Sequence, residues 1–164
     1  YKGEKVVIIN PSDSADLAPL GLITADVLKR AGLNVDLQSM DWGTMLTRRA
    51  SMESVEKGGW SIYHSSWPVI SVADPMQNVT MRGNGKTGWP GWYASEEMEK
   101  MVAEWVNAPD TGVQKQLMQK IHELALKDVP SVPLGIYFTI MTHRKALQDV
   151  PGGSMRYPWS VHRV

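Results

Sequence analysis

The chain has 164 residues, 43% of them apolar and 21% charged, with 17 basic and 17 acidic side chains. That length suits one ordinary domain with its own core, and the balanced charge supplies no field to attract nucleic acid, which is therefore not expected as a partner. No apolar run reaches the roughly 18 residues of a membrane-spanning helix, the amino terminus YKGEKVV lacks signal-peptide character, and without cysteine there are neither disulfides nor thiolate sites.

Lys5 to Asn10 (KVVIIN) is a continuous apolar run ended by Pro11, the pattern of a strand covered on both faces. Ser12 and Asp13 are placed to cap a helix on which Leu20, Ile23, Val27 and Ala31 recur at helical spacing, and Gly32 is a natural left-handed stop. Leu33 to Met40 alternates Leu33, Val35 and Leu37 with polar neighbours, as a half-buried strand does, and Asp41 stands at a cap position for a second helix, Trp42 to Ser54. A third strand is expected from Trp60 to Ser66, with Tyr63 on the face opposite Trp60 and Ile62. Strand, helix, strand, helix, strand implies an α/β fold with a parallel sheet and right-handed crossovers.

Thr80 to Tyr93, with Gly83, Gly85, Gly88, Gly91 and Pro90, reads as a loop. Ser95 opens a helix whose first turn holds Glu96 and Glu97, and Asp110 opens another with Val113, Leu117, Ile121, Leu124 and Ala125 on one stripe, the two forming a hairpin around Ala108-Pro109. Val129-Pro130 ends the second helix. Val132 to Met141 is expected to be a long strand, and the tail after Lys145 is sparse in core residues.

Chemistry-bearing patterns fail on context. Gly83-Asn84-Gly85-Lys86-Thr87-Gly88 has the letters of a dinucleotide fingerprint, but Trp89-Pro90-Gly91 follows where a helix must begin to aim its N–H groups at phosphate. A phosphate loop ending at Lys86 needs glycine at Thr80. His122-Glu123 begins a zinc-protease helix, yet Leu126 occupies the second ligand position. His64, Ser65 or Ser66, and Asp74 supply the residue types of a catalytic triad, but no nucleophile elbow surrounds either serine. Glu96, Glu97, Glu99 and Glu104 read as a solvated face. No cofactor and no metal are expected, and the chain does not read as an enzyme. Seven Trp against one Phe favours a contact surface, since an indole offers a large flat face and one donor.

The order of features resembles the carboxy-terminal part of the family 5 extracellular solute-binding proteins, the oligopeptide, dipeptide and nickel type receptors of ABC importers. The residues that carry it are Gly3 to Ile9, the helix end Leu28 to Val35, Asp41-Trp42, Ser66-Trp67, Asp74-Pro75, Gly91-Trp92-Tyr93, Ser95 to Met98, Gln116 to Ile121, and Asp128 to Leu134. The resemblance implies one lobe of a two-lobed periplasmic-binding-protein-like fold over residues 1–141, with residues 142–164 as a tail returning to the other lobe. It implies a small-molecule or peptide-like ligand closed between lobes, permease subunits as partners, a monomer, and a periplasmic or externally anchored location.

The same resemblance places the cleft beside the carboxyl end of the third strand, where open parallel sheets also bind ligands on physical grounds. Trp67, Ser66 and Ser65 are the leading ligand-binding candidates, followed by Tyr63, Trp42 and Asp41, with the Gly83 to Tyr93 loop behind them. In peptide-binding relatives an Asp soon after this tryptophan receives the peptide amino terminus. Here the apolar Pro68 to Ala73 intervenes, and Asp74 before Pro75 is expected to cap a short helix, which points to a less cationic or partly apolar solute. The competing expectation is a freestanding α/β enzyme or small-molecule sensing domain.

Overall fold

Lys5–Pro11 forms the central strand (β1) of a three-stranded parallel sheet, in the order β2-β1-β3 with Asn34–Met40 (β2) and Ile62–Tyr63 (β3) beside it. The computed structural model describes residues 1–153 and 157–164, and that chain divides into two compact units, Tyr1–Ser66 and Trp67–Val164. In the first unit β1 runs in register with β2 from Lys5 opposite Asn34 to Pro11 opposite Met40. Its residues Val7 to Pro11 are all buried, as the uninterrupted apolar run requires of a strand covered on both faces.

Alternation divides those residues between two layers. Val7 and Ile9 pack against Met45 of the helix Trp42–Arg49 (α2), with Met40, Trp42, Leu46, Val55, Trp60 and Tyr63 around them. Asn10 faces the helix Ala18–Arg30 (α1): its Nδ2 donates to the Ala18 carbonyl at 3.3 Å. Gly21 lies so close that a Cβ there would stand 2.1 Å from Asn10 Oδ1.

Four expectations for this unit are corrected. α1 starts at Ala18 with no side-chain cap, because Ser12 and Asp13 are engaged with the end of β2 and with Trp42 instead. Its buried face is Gly21 and Ala25, while Ile23 and Val27 of the anticipated stripe are 59% and 54% exposed. Small residues win that face because they let the helix backbone approach the sheet. The third strand shrinks from Trp60–Ser66 to Ile62–Tyr63, and α2 stops at Arg49 rather than Ser54. β3 pairs only at Ile8–Ile62 and Ile9–Tyr63, and Pro11 at the end of β1 has no N–H to offer a further rung. At the other end Ser61 Oγ accepts from Val7 N at 3.1 Å while Ser61 N donates to the Val7 carbonyl at 2.8 Å.

In the second unit a 3-10 turn at Val69–Val72 leads to the Asp74 turn, then to the glycine-rich loop. The helices Glu96–Val106 (α3) and Thr111–Asp128 (α4) form the anticipated hairpin. Ser95 caps α3 by accepting from Met98 N at 3.1 Å, and Asp110 caps α4 by accepting from Gly112 N and Val113 N. Met98, Val102, Ile121 and Leu124 make the core between them.

Val132–Met141 was expected as a strand and is not one. It is exposed along its whole length, with Phe138 at 93%. β-rich composition alone makes no strand: a ladder partner is needed, and none of the described strands pairs with this run. Farther on, Leu147–Gln148 (β4) and His162–Arg163 (β5) pair antiparallel. The part of the expected returning tail at 154–156 lies outside the described residues.

Candidate functional site

Because the three strands are parallel, the segments that follow them leave the sheet at one edge. Two are tied together. Ser12 N and Ser12 Oγ both donate to the Met40 carbonyl, at 2.8 and 3.1 Å, and Trp42 N donates to Asp13 Oδ1 at 2.9 Å. Asp41 caps α2 as its position predicted: Oδ1 accepts from Thr44 N at 3.0 Å and Oδ2 from the Thr44 hydroxyl. The Thr44 hydroxyl, and then the Thr44 N–H, hold this exposed carboxyl below its ordinary range.

Trp42 and Tyr63 are half-buried in the α2-side cluster. The Tyr63 ring meets Trp60 edge-on, with centroids 4.9 Å apart, and the Arg49 guanidinium lies 5.6 Å over it. Trp60 and Tyr63 therefore share one layer, against the alternation expected of a long strand. Trp60 precedes the two-residue β3 and is drawn in by its Nε1–H donating to the Arg49 carbonyl at 3.1 Å.

His64 turns the other way, buried against α1, with Nε2 and Thr24 Oγ1 2.9 Å apart. Its Nδ1 is buried with no partner among the described residues, and burial lowers the imidazole pKa, so the ring is held neutral. Ser65 and Ser66 follow, both exposed, and close the first unit.

Trp67 opens the second unit, half-buried, with its ring in edge contact with Trp89 at 4.9 Å and 66°. Its Nε1–H is buried and meets no acceptor among the described residues. Beyond it Val69 and Ile70 are 55% and 58% exposed. Asp74 Oδ1 accepts from Met76 N and Gln77 N, both at 2.9 Å, so the expected cap exists, on a turn rather than a helix.

The loop that carries Trp89 is held at its base. Asn84 bridges Ala94, Gly85 N donates to the Tyr93 carbonyl at 2.8 Å, and Ser95 N to the Gly83 carbonyl at 3.1 Å. Its glycine run enters a 3-10 turn, Gly85–Thr87, not an α-helix. Tyr93 donates its hydroxyl to Asp128 at 2.6 Å, and burial, then that bond, raises its pKa.

Glu99, expected on a solvated face, is paired instead. Its carboxylate takes Arg82 in a forked contact, with Nε at 2.9 and 3.1 Å, and also accepts from Gly83 N at 2.7 Å. The Arg82 fork, first among the causes, holds the Glu99 carboxyl below its usual range. The missed signal is positional: Glu99 sits next to Met98 and three residues before Val102, beside the buried stripe of α3.

No family model matches this sequence. It is 29% identical, over all 164 of its residues, to a probable peptide ABC transporter periplasmic-binding protein (y4tO) of Sinorhizobium fredii strain NBRC 101917 / NGR234, and spans 31% of that relative's length. Among solved structures, the ABC transporter-associated periplasmic binding protein DppA from Helicobacter pylori, in complex with the peptide STSA, superposes with a TM-score of 0.59 at 21% identity, covering 79% of this chain and 25% of that one. NikA from Staphylococcus aureus, in complex with Ni(L-His)2, also reaches 0.59, at 17% identity, covering 77% of this chain and 26% of that one. The first two of these are named as periplasmic-binding proteins. Along its whole length the chain is thus similar to about a third of a probable peptide ABC transporter periplasmic-binding protein, and it shares its fold with about a quarter of each of the two solved structures.

Proposed function

We propose that the chain is part of the substrate-binding component of an ABC importer, working outside the cytoplasmic membrane. There it would capture a small solute, peptide-like or other, and present it to permease subunits without covalent chemistry or a cofactor. The observation that carries this reading is the full-length similarity to one third of a peptide-type periplasmic-binding protein, joined to the shared α/β fold. In such proteins capture is a closure of domains over the ligand.

In the first unit, Ser65 and Ser66 offer exposed hydroxyls at the carboxyl edge of the parallel sheet, where Asp41 and Trp42 also emerge and Tyr63 anchors the end of β3. In the second, Trp67 supplies an aromatic face. Asp74 is engaged with two backbone N–H groups, and the residues between it and Trp67 are uncharged and, Ser71 apart, apolar, which favours a solute with an uncharged or apolar portion here over one with a free ammonium.

Native mass spectrometry of the complete polypeptide, purified without denaturation, is the test. A bound small solute supports the proposal, and turnover of a covalent substrate by the purified protein would overturn it. Trp67→Ala in that polypeptide should weaken the solute by about 1–3 kcal/mol, the usual cost of truncating an aromatic contact, with unchanged circular dichroism. Equal affinity would remove Trp67 from the site.

A further inference from the structure

One ion pair in the second unit, Arg82 with Glu99, gathers contacts from two further segments. Glu99, in the first turn of α3, accepts from Gly83 N at the base of the 83–95 loop and from the Arg82 fork. Arg82 in turn donates through Nη1 to the Met76 carbonyl at 3.0 Å. Met76 belongs to the turn that Asp74 organises, on the segment that runs from Trp67 through the 3-10 turn Val69–Val72. The two segments that supply Trp67 and Trp89 therefore hang on the same ion pair. Both partners are only a quarter exposed, 24% for Arg82 and 27% for Glu99, so the pair is shielded from the screening that weakens surface bridges. The loop base has no slack, since a Cβ on Gly83 would lie 2.4 Å from the Ser95 carbonyl oxygen.

The geometry points to Arg82 and Glu99 as a positioning pair that sets the Trp67–Trp89 aromatic face. This deepens the solute-binding proposal, because Trp67 is the ring that reading offers to the solute, and its partner Trp89 becomes part of the same contact surface. Two rings 4.9 Å apart at 66° present one continuous apolar wall only while both segments keep their registration. A carboxamide at position 99 could still accept from Gly83 N but would lose the charge-assisted fork, and lysine at 82 cannot reproduce a fork that bonds two oxygens and a carbonyl together.

The test uses exciton-coupled circular dichroism of the full chain. Close, non-parallel indoles give a paired band, and the component that disappears from the wild-type spectrum both in Trp89→Phe and in Trp67→Phe is the part due to Trp67–Trp89. Glu99→Gln and Arg82→Lys should each lose that couplet while the helical signal stays at the wild-type level. A stabilising bridge without a positioning role would lower the melting temperature and leave the couplet intact in the cold, and that result overturns the inference. So does a wild-type spectrum with no component lost both in Trp89→Phe and in Trp67→Phe. Should Glu99→Gln fail to fold, Arg82→Lys reads the same clamp from its other end. Because no solute is present, failure here is separate from failure of the proposed function: a bound solute in the complete polypeptide with an unchanged couplet would keep the function and remove the clamp.

Discussion

Gly21 shows how one residue can carry an interlayer contact. Its missing side chain lets α1 settle on β1 beside Asn10, and Gly21→Ala would drive a methyl into the Asn10 side chain at 2.1 Å. Overpacking of this kind should cost about 1–3 kcal/mol, read as a lowered urea midpoint; an unchanged midpoint would mean that α1 stands off the sheet. His64 and Glu99 make the pH dependence directional. Burial lowers the His64 pKa, so the neutral ring favours the folded state and stability is full above the unfolded value of about 6.5. It should fall as pH drops through that value toward the lower folded one, because the unfolded chain takes up the proton first. Glu99 is the opposite ion with the same outcome at lower pH. Its carboxyl is depressed by Arg82, so its contribution is present above the unfolded value of about 4.5 and lost as pH falls through the folded value. Denaturant midpoints across this range should lose the upper step in His64→Gln and the lower one in Glu99→Gln. A His64→Gln profile that still bends near neutrality would put the upper step elsewhere.

At the scale of elements, the caps that adjoin their helices were legible because they depend on a few adjacent residues, whereas the expected Ser12/Asp13 cap of α1 and the Ser54 end of α2 were not found. Asp41, Ser95 and Asp110 each accept from the first turn of the helix they precede. Gly32, at φ 87°, turns the chain after α1, as a glycine in that place does. α4 ends less comfortably: Val129 holds φ 51°, a left-handed conformation in which a β-branched side chain is strained. Val129→Gly should therefore raise stability by about 1 kcal/mol, measured as an increased melting temperature; a decrease would show that the valine side chain matters more than its backbone. Faces of elements were harder to read. The α1 stripe failed because glycine and alanine, which carry little hydrophobic signal, are the residues in contact, while Leu22, Ile23 and Val27 remain more than half exposed.

For the molecule as a whole, the proposed function makes a demand on the 164-residue chain alone. It spans 31% of the relative it matches, and a solute enclosed between two lobes draws its affinity from both. A site near −8 kcal/mol that kept half its contacts would bind at roughly millimolar strength. Calorimetry of this chain with the solute recovered from the complete polypeptide should thus show little or no heat, and tight binding by the chain alone would favour a freestanding receptor or sensing domain. No helix among the described residues is long and apolar enough to cross a membrane.

Taken by itself, the sequence determined the parallel β-α-β-α-β order, the α3–α4 hairpin and the caps at Asp41, Ser95 and Asp110, because each rests on local chemistry. It also carried the resemblance to solute-binding proteins, which lies in the order of many small features along the chain. The stretch from Trp60 to Trp67 was legible only as far as its hydroxyls and rings. Tertiary structure decided that β3 is two residues long, that Tyr63 and Trp60 share a layer, that His64 is buried on Thr24, and that Trp67 meets Trp89. It alone joined Arg82 to Glu99, 17 positions apart. Such pairings depend on which elements close on one another and on where a neighbouring strand runs out of backbone donors, and neither leaves a period in the sequence.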